Sequence, residues 1–324
     1  MSARISIGLP AYNGEAVLPE ALDSLLAQTF TDFEIVISDN ASTDATEAIC
    51  RDYAARDPRI RYHRQERNLG AVPNFNRVFE LSSAPLFKWH ACDDVCDPTF
   101  LERCVALLET RPDAAWVHSR SSHIGPDGAL LDDPETLDVS YADRDDPSPS
   151  ARFSAVLLGS GGCLDSYGVF RREALARTPL YQTLYGAEKL FIAELALLGS
   201  YAEVPETLFY ARVAPESSGN LGTNAEQQAF IAGEGARGPR FVRLRYLESY
   251  LASIRRAAPD AREAWLARIA VMRWLLQVSK WRAVALKALT GAGVGGGNRE
   301  RLKRLEERAD EAQEAGLVSE GSRS

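Results

Sequence analysis

Two adjacent carboxylates, Asp93 and Asp94, end an apolar and aromatic run in the stretch APLFKWHACDDVCDP. Neighbouring carboxylates repel each other, so such a pair lies in solvent or binds a cation. Capping of the following helix is an alternative use, but Pro98 favours Asp97 as the cap and leaves the pair unexplained. The pair therefore indicates a metal ion held by carboxylates.

Polar residues also follow two earlier strand-like runs. Tyr12 and Asn13 come after RISIGLPAY, and Asp39 and Asn40 come after FEIVISD. Because ligands of open parallel sheets gather at the carboxyl ends of the strands, we expect all three polar clusters at one rim. Taken alone, Asp39 and Asn40 are also ordinary turn residues, and Tyr12 is also a typical half-buried ring.

The elements that must position these residues alternate along the first ninety or so residues. Strands are predicted at RISIGLPAY, FEIVISD, IRYHRQ and PLFKWHAC. Between them, helices are predicted at GEAVLPEALDSLLAQTF, at NASTDATEAICRDYAARDP with Ser42 or Thr43 as the cap, and at GAVPNFNRVFELS. Strands joined by helical crossovers form a mainly parallel sheet with helices on both faces, so the fold class is α/β.

Composition excludes several classes of protein. A chain of 324 residues with a net charge of −8 is too acidic for a general nucleic-acid binder. No GxGxxG follows the first strands and no GxxxxGK[ST] occurs, which argues against Rossmann dehydrogenases and P-loop NTPases. Five cysteines without a CxxC pair, and a strand that begins almost at Met1, predict a reducing, cytoplasmic setting.

Several motifs together resemble a known family, the family 2 inverting glycosyltransferases. They are ISIGLPAYNGEAVLPEALDSLLAQTF, FEIVISDNASTDAT, NLGAVPNFNRVFE, FKWHACDDVCDPTFLERCVALLETRPD and GVFRREAL, in the family's order across about the first 215 residues. The resemblance implies the GT-A fold of nucleotide-diphospho-sugar transferases. It also implies transfer of a sugar from a nucleotide-sugar donor.

The resemblance assigns the first two polar clusters to the nucleotide. Pro10, Ala11 and Tyr12 resemble the loop beneath the base, with Tyr12 able to stack on it. Asp39 resembles the carboxylate that hydrogen-bonds the base, and Asn40 stands next to it in the same nucleotide-binding cluster.

Asp93 and Asp94 fall where the family has its DXD motif, which contacts the ribose and holds a divalent metal on the diphosphate. Carboxylate oxygens suit Mg²⁺ or Mn²⁺ there. The more usual aspartate two residues before Asp93 is Ala91 here. Both members of the pair therefore stay candidates for the metal ligand.

Contacts to the diphosphate depart from the family pattern as well. The segment YARVAPESSG resembles one that often reads RxHP, but Ala214 replaces the histidine. Arg212 is then left to support the diphosphate, and Arg77 in NFNRVF is a further candidate. A surface or packing role is the alternative for Arg77.

Inverting transfer needs a base that removes the proton of the acceptor hydroxyl. In the family this base is an Asp or Glu just before a helix, and Glu188 in YGAEKLFIAELALLG matches that place. A first-turn glutamate that stabilises the helix dipole is the alternative. Asp165 in GGCLDSYG is the second candidate.

The chain divides by composition into residues 1–225, a GT-A domain, residues 226–290, a helical extension, and residues 291–324, a Gly-rich linker and charged tail. From residue 240 to residue 290 there are eleven Lys/Arg against three Asp/Glu. A stripe of apolar residues recurs within this segment: Val271, Trp274, Val278, Trp281 and Ala285. It predicts packing on the chain's own domain or a second subunit, with peripheral contact at the inner face of the membrane as the alternative.

The resulting hypothesis is a metal-dependent inverting glycosyltransferase. Its donor carries UDP, GDP or dTDP, and its acceptor is a glycan, a glycolipid or a glycosylated natural product, as in cell-surface polysaccharide synthesis. Two alternatives stay open: a nucleotidyltransferase that makes sugar nucleotides, although GLPAYNGEAV is not its GxGTRL-like loop, and a non-catalytic module that binds sugar nucleotides or glycans.

Overall fold

The computed structural model describes residues 3–131, 144–159, 163–184, 186–213, 221, 223–236, 238 and 241–277. Within them, one sheet is built from eight strands: β1 (Ile5–Ala11), β2 (Phe33–Asp39), β3 (Ile60–Arg64), β4 (Leu86–Trp89), β5 (Val95–Cys96), β6 (Ala114–Ile124), β7 (Val169–Arg171) and β8 (Ser200–Arg212). Their order across the sheet is β3-β2-β1-β4-β7-β6-β8-β5. The four strands predicted in the first half are all present.

The first four strands run parallel, so their carboxyl ends meet at one rim. β1 pairs in parallel with β2 and β4, and β2 pairs in parallel with β3. β7 runs antiparallel to β4 and β6, and β5 runs antiparallel to β8. The mixed half of the sheet thus begins directly beside β4, the strand that leads to Asp93 and Asp94.

The described helices are α1 (Leu18–Leu26), α2 (Thr46–Arg56), α3 (Ala71–Glu80), α4 (Phe100–Thr110), α5 (Pro149–Leu158), α6 (Arg172–Leu175), α7 (Glu188–Leu198), α8 (Asn224–Ala232), α9 (Val242–Ala257) and α10 (Ala261–Leu275), with a 3₁₀ helix at Leu164–Tyr167. The predicted cap of α2 at Ser42 or Thr43 is wrong. That helix begins later, at Thr46, whose N–H donates to Asp44 Oδ1 at 3.0 Å. The Ser42 hydroxyl instead accepts a bond from the loop after β1.

Apolar clusters lie on both faces of the sheet, as predicted for an α/β fold. Ile5, Ile7 and Leu9 of β1 join a cluster that includes α1 and α4. On the other face, a Cβ at Gly8 would lie 2.6 Å from Val78 Cγ2. Glycine at this position therefore lets α3 pack directly on the strand.

The described part of the C-terminal extension shares the core of the domain. Tyr250 and Ile254 of α9 and Val271 and Trp274 of α10 belong to one cluster with residues of α5 and α7. A boundary at residue 225 would fall inside α8. Residues 278–324 lie outside the described residues, and with them Val278, Trp281, Ala285 and the predicted linker and tail.

Buried polar contacts reinforce this packing. The Glu194 carboxylate of α7 accepts hydrogen bonds from Ser253 Oγ and from Arg256 Nε and Nη2, each at 2.7 Å. Glu263 of α10 accepts from Ser148 Oγ and Ser150 N at 2.8 Å. Removing one partner of such a buried pair is costly, so α9 and α10 are held firmly on the domain.

Candidate active site

The loop after β1 is fixed to the loop after β2. Asn13, with φ of 48°, donates its N–H to Ser42 Oγ at 2.9 Å and accepts from Thr43 N at 2.9 Å. Gly14 N donates to Thr46 Oγ1 at 2.8 Å. Tyr12 lies at the base of this loop with 46% of its surface exposed. Pro10 and Ala11 are buried in β1, so the rigid strand end presents the Tyr12 ring to solvent.

Asp39 is buried and its carboxylate has three donors. Oδ1 accepts from Ser42 N at 2.8 Å, and Oδ2 accepts from Tyr62 Oη at 2.7 Å and from Arg64 Nη1 at 2.8 Å. The pKa of Tyr62 is raised mainly by burial and, to a smaller extent, by its hydrogen bond to Asp39. Of these partners, Arg64 has a partly exposed side chain. Asp39 thus fixes Arg64 at the rim.

Arg64 is a rim residue that sequence reasoning missed. Its Cα is directly opposite that of Asp39 in the β2–β3 register. The signal was present in the sequence, because both residues end strand-like runs, but only the register pairs the two.

Asn40 is buried in a structural role. Its Nδ2 donates to Asn68 Oδ1 at 2.8 Å and to Gly70 O at 3.1 Å, while its Oδ1 accepts from Leu69 N at 2.9 Å. These bonds hold the loop that leads into α3. The structure therefore uses the Asn40 amide to join the end of β2 to the loop beneath the rim.

Arg77 lines a cavity beside Gln65 and Leu69 and, within the described residues, makes no contact with Asp93 or Asp94. It lies in the last turn of α3, whereas Asn74, earlier in the same helix, donates to Ser38 O at the end of β2 at 2.9 Å. The Arg77 guanidinium pairs instead with Glu80 at 3.1 Å. A direct contact from Arg77 to a diphosphate bound at Asp93 and Asp94 has no support in this geometry.

Arg212, at the end of β8, clamps the Asp93–Asp94 turn. Its backbone N–H donates to Asp94 Oδ1 at 3.0 Å and its Nε donates to the Asp93 carbonyl at 2.8 Å. Its Nη1 donates to the carbonyls of Gly125 and Pro126 at 3.0 Å, and the side chain is 1% exposed. The geometry gives Arg212 a positioning role behind the aspartates, in place of the expected direct contact with the diphosphate.

The two aspartates have electrostatics that suit a cation. Burial raises the pKa of Asp93 and raises that of Asp94 well above its ordinary value, and repulsion from Asp93 adds to the effect on Asp94. A hydrogen bond from its own backbone N–H and the charge of Arg212 offset part of this effect on Asp93. Buried, mutually repelling carboxylates are stabilised by a divalent ion.

The residues present fit a metal that is shared with a ligand. No group of three or more His, Cys, Asp or Glu side chains in the described ranges could hold a metal ion by itself. Mg²⁺ is typically bound by one or two carboxylates, with phosphate and water oxygens completing its shell. Asp93 and Asp94 would supply the protein's share of such a site.

Two further buried groups support the turn, and sequence reasoning missed both. Burial lowers the pKa of His90 well below its ordinary value, so the neutral ring donates from Nε2 to the Asp94 carbonyl at 3.1 Å. The Lys88 ammonium donates to the carbonyls of Trp89 at 3.1 Å and Tyr167 at 2.6 Å. Lys88 therefore joins β4, which leads to the aspartates, to the 3₁₀ helix that carries Asp165.

Asp165 and Glu188 lie on the other side of the site. Asp165 is fully buried, and neither of its oxygens has a hydrogen-bond partner within the described residues. Burial raises the pKa of Asp165 to about 8. Glu188 is the half-buried first residue of α7, and burial raises its pKa too. Burial is the main cause of the raised pKa of the Cys163 thiol, and the charges of Asp165 and Glu188 raise it further. Both carboxyl groups therefore lie near Cys163 and near each other.

Tyr167 connects the two sides of the site. Its ring is stacked on Phe209 with centroids 5.2 Å apart. Burial raises the pKa of Tyr167, and the charges of Asp94, Asp93 and Glu188 contribute further. The aspartate pair and Glu188 are therefore both within electrostatic reach of one phenol. No local sequence pattern singles out Tyr167, because the packing of distant elements determines its surroundings.

Comparison with known proteins gives a family match. A model of the family described as "Glycosyl transferase family 2" matches residues 6–177, more than half of the chain. The chain is 31% identical over 127 residues to a chondroitin synthase of Escherichia coli, covering 39% of this chain and 18% of that protein. It is 28% identical over 218 residues to an uncharacterized glycosyltransferase of Nostoc sp., covering 65% of each. The chain covers 14% to 38% of the length of the first four curated relatives.

Solved structures share the fold. The S. aureus TarS 1–349 complex with UDP-GlcNAc aligns with a TM-score of 0.59 at 16% identity, over 82% of this chain and 70% of that one. The corresponding complex with UDP aligns with a TM-score of 0.57 at 17% identity, over 82% and 69%. At this identity the likeness concerns the fold, and it confirms the fold class expected from the sequence.

Proposed function

Because the chain belongs to glycosyl transferase family 2 and has the GT-A fold, we propose that it is a metal-dependent inverting glycosyltransferase. It moves a sugar from a nucleotide-sugar donor to a hydroxyl group of a glycan, a glycolipid or a glycosylated natural product. One observation carries the proposal: after β4, Arg212 holds the adjacent carboxylates Asp93 and Asp94 in one turn through hydrogen bonds of 3.0 Å to Asp94 Oδ1 and 2.8 Å to the Asp93 carbonyl. A carboxylate pair that can bind a cation, together with a carboxyl group of raised pKa such as Glu188, is what this reaction requires.

Donor binding follows from the first half of the rim. The exposed Tyr12 ring stacks on the base, and the ordered loops around Asn13 and Ser42 limit the entropy lost on binding. Asp39 acts on the base edge through the Arg64 that it orients, or directly through the unused lone pairs of its oxygens. UDP is the first nucleotide to test, since the TarS structures contain UDP or UDP-GlcNAc, with GDP and dTDP beside it.

Asp93 and Asp94 would hold Mg²⁺ or Mn²⁺, with Arg212 fixing the turn from behind. An ion held there would supply positive charge to offset that of the departing nucleoside diphosphate. Because Arg212 is engaged with backbone carbonyls, its contribution is the orientation of the two carboxylates. The absence of a histidine at Ala214 is consistent with a site that relies on this pair.

Glu188 is the base in this proposal. The acceptor oxygen attacks the anomeric carbon, the bond from that carbon to the phosphate oxygen breaks, and the hydroxyl proton passes to the Glu188 carboxylate. Asp165 is less suitable, since a pKa of about 8 leaves it largely protonated at neutral pH. A raised pKa on Glu188 makes its carboxylate a stronger proton acceptor than an exposed glutamate.

Calorimetric titration of UDP, GDP and dTDP with and without Mn²⁺ tests the donor half. We expect metal-dependent binding of one nucleotide, lost in the double variant Asp93→Asn/Asp94→Asn. The matched control is Asp52→Asn, which removes an exposed carboxylate of α2 that pairs with Arg56. Metal-independent binding of every nucleotide, or binding that the double variant retains, would contradict the proposed role of the pair.

A further inference from the structure

The outer face of α10 carries a continuous apolar stripe. Trp265, Ile269, Met272 and Leu276, which follows the last helical residue, recur at intervals of four, three and four residues. This spacing places them on one side of the helix. Their exposed fractions range from 38% to 69%, although each is a large apolar side chain.

The beginning of α9 extends the stripe. Arg243 Nη2 donates to the carbonyl of Trp274 at 2.9 Å, so the first turn of α9 lies beside the last turn of α10. Phe241 and Leu244 in that region are exposed as well. We call these six side chains the C-terminal apolar face: Phe241, Leu244, Trp265, Ile269, Met272 and Leu276. In the described part of the chain, only three other large apolar side chains are exposed to a similar degree, and they are scattered.

Arginines border this face. At 100° per residue, Arg268 lies on one side of the stripe of α10, and Arg262 and Arg273 lie on the other, all three exposed. The acidic residue within the helix, Glu263, is buried and accepts hydrogen bonds from Ser148 and Ser150 through Oε2, and its Oε1 pairs with Arg262 at 3.0 Å. This leaves Arg268 and Arg273 as the arginines of the margin without an acidic partner on α10. The exposed surface of α10 is therefore apolar in the middle and cationic at its margins.

We propose that the C-terminal apolar face docks on an anionic lipid surface. An apolar stripe flanked by arginines is the arrangement of a helix that lies in a membrane interface, with its rings among the acyl chains and its cations at the headgroups. The sequence that follows, residues 278–290, has three more Lys/Arg and no Asp/Glu, which adds to the same attraction. No helix of the described residues is long and apolar enough to span a membrane, so the contact is peripheral.

Charge argues against a second copy of the chain as the occupant. A twofold contact through this face would bring Arg268 and Arg273 of one subunit near those of the other, and neither has an acidic partner on α10. The rest of the protein is acidic, with a net charge of −16 outside residues 240–290. An anionic membrane would repel that body and attract this face, and the two effects together orient the molecule.

Docking would also orient the acceptor side of the site, a consequence that rests on the proposed function. Gly186 comes two residues before Glu188, and a Cβ added at Gly186 would lie 3.4 Å from Tyr246 Oη of α9. The Glu188 charge contributes to the raised pKa of Tyr246, whose main cause is burial. The helix that supports the proposed base thus begins in the face that meets the lipid. A lipid-borne acceptor hydroxyl is the substrate class that this placement favours.

Vesicle sedimentation of the full chain tests the docking. With phosphatidylcholine vesicles containing about 30 mol % phosphatidylglycerol, we expect binding that falls as salt rises. Pure phosphatidylcholine vesicles should bind at least about tenfold more weakly. In Trp265→Ser/Met272→Ser, the affinity for the anionic vesicles should fall about tenfold or more. In Arg268→Gln/Arg273→Gln, the same affinity should fall about fivefold or more for each arginine removed. The matched control is Leu130→Ser/Phe230→Ser, which removes two exposed apolar residues elsewhere.

The outcomes separate this inference from the proposed function. Failure of the wild type to bind anionic vesicles, or equal binding by all variants, overturns the docking. So does a lipid-free dimer that Trp265→Ser/Met272→Ser converts to a monomer, since the face would then join two copies. Nucleotide binding in solution should be the same in the wild type and in the Trp265 double variant. If docking fails while metal-dependent nucleotide binding persists, the proposed enzyme stands and only the lipid inference falls.

Discussion

The two sides of the candidate site differ in how their polar groups are satisfied. On the donor side, Asp39 and Asn40 each make three side-chain hydrogen bonds, Asp39 to β3 and the loop after β2, and Asn40 to the loop before α3. On the acceptor side, Asp165 has no hydrogen-bond partner among the described residues, and burial raises the pKa of both Asp165 and Glu188. Buried polar groups are normally paired, and exceptions often mark a function. The part of the donor side around Asp39 and Asn40 is therefore built in advance, whereas Asp93, Asp94 and the acceptor side keep carboxyl groups whose pKa burial has raised.

The largest expected effect is on the acceptor side. Glu188→Gln should lower sugar transfer by about 10²–10⁴-fold, because the amide cannot accept the hydroxyl proton. Nucleotide affinity should stay unchanged, since the donor side is intact. A transfer assay beside calorimetry measures both quantities, and Glu173→Gln, on the short helix α6, is the control. Equal loss of transfer and nucleotide binding would remove the distinction between the two sides.

The next effect concerns the pH dependence of stability. Folded Asp165 keeps its proton up to about pH 8, whereas the unfolded chain loses it near pH 3.8. The folded state is thus increasingly disfavoured by this group as pH rises from about 4 to 8. Asp165→Asn should leave stability unchanged at pH 4 and raise it at pH 8, on the order of 3–5 kcal/mol. Chemical denaturation of both proteins at the two pH values measures it, and a variant that is less stable at pH 8 would show that the carboxylate has a partner.

A smaller loss is expected from the rigid donor side. Asn40→Ala leaves Leu69 N without its partner and removes one of the two hydrogen bonds to Gly70 O, at a cost of about 1–3 kcal/mol. Denaturation midpoints measure the loss. Asn76→Ala, which removes two bonds to Tyr181 instead, provides a comparison outside the rim. If Asn40→Ala were neutral, the donor side would be less constrained than its hydrogen bonds imply.

The smallest effect should come from Tyr12, which is exposed and so contributes little to folding. Tyr12→Ala should weaken nucleotide binding about tenfold through the lost stacking and leave the thermal midpoint unchanged. Leu130→Ala, another exposed side chain, controls for nonspecific effects. Unaltered nucleotide affinity in Tyr12→Ala would move the base to another part of the rim.

Local patterns were enough to predict the four parallel strands and the meeting of three polar clusters at their carboxyl ends. Alternating strands and helices permit few arrangements, so the rim follows from topology. Long-range contacts were not predictable in this way. Asp94 meets Arg212 across 118 positions of sequence. Arg212 contacts the aspartate turn because of the way β8 packs in the sheet, and no local sequence pattern predicts that packing.

The C-terminal extension shows the same limit. The apolar stripe that includes Val271 and Trp274 predicted a packing face, and the structure buries both residues. The second, exposed face through Trp265 and Met272 was not recognised, because both faces of α10 contain apolar residues and only burial distinguishes them. The sequence pattern predicts that a helix is amphipathic more reliably than it predicts which side meets the protein.

The most direct test of the central claim is a transfer assay with separate measurement of nucleotide binding. Wild type, Asp93→Asn/Asp94→Asn and Glu188→Gln would be incubated with Mn²⁺ and UDP-, GDP- and dTDP-sugars, and release of nucleoside diphosphate would be followed with and without glycan or glycolipid acceptors. We predict acceptor-dependent release by the wild type with one donor class. The double variant should lose both nucleotide binding and release, and Glu188→Gln should lose release alone. Release that persists undiminished in Glu188→Gln would contradict the assignment of the base, and metal-independent release in the double variant would contradict the assignment of the aspartate pair.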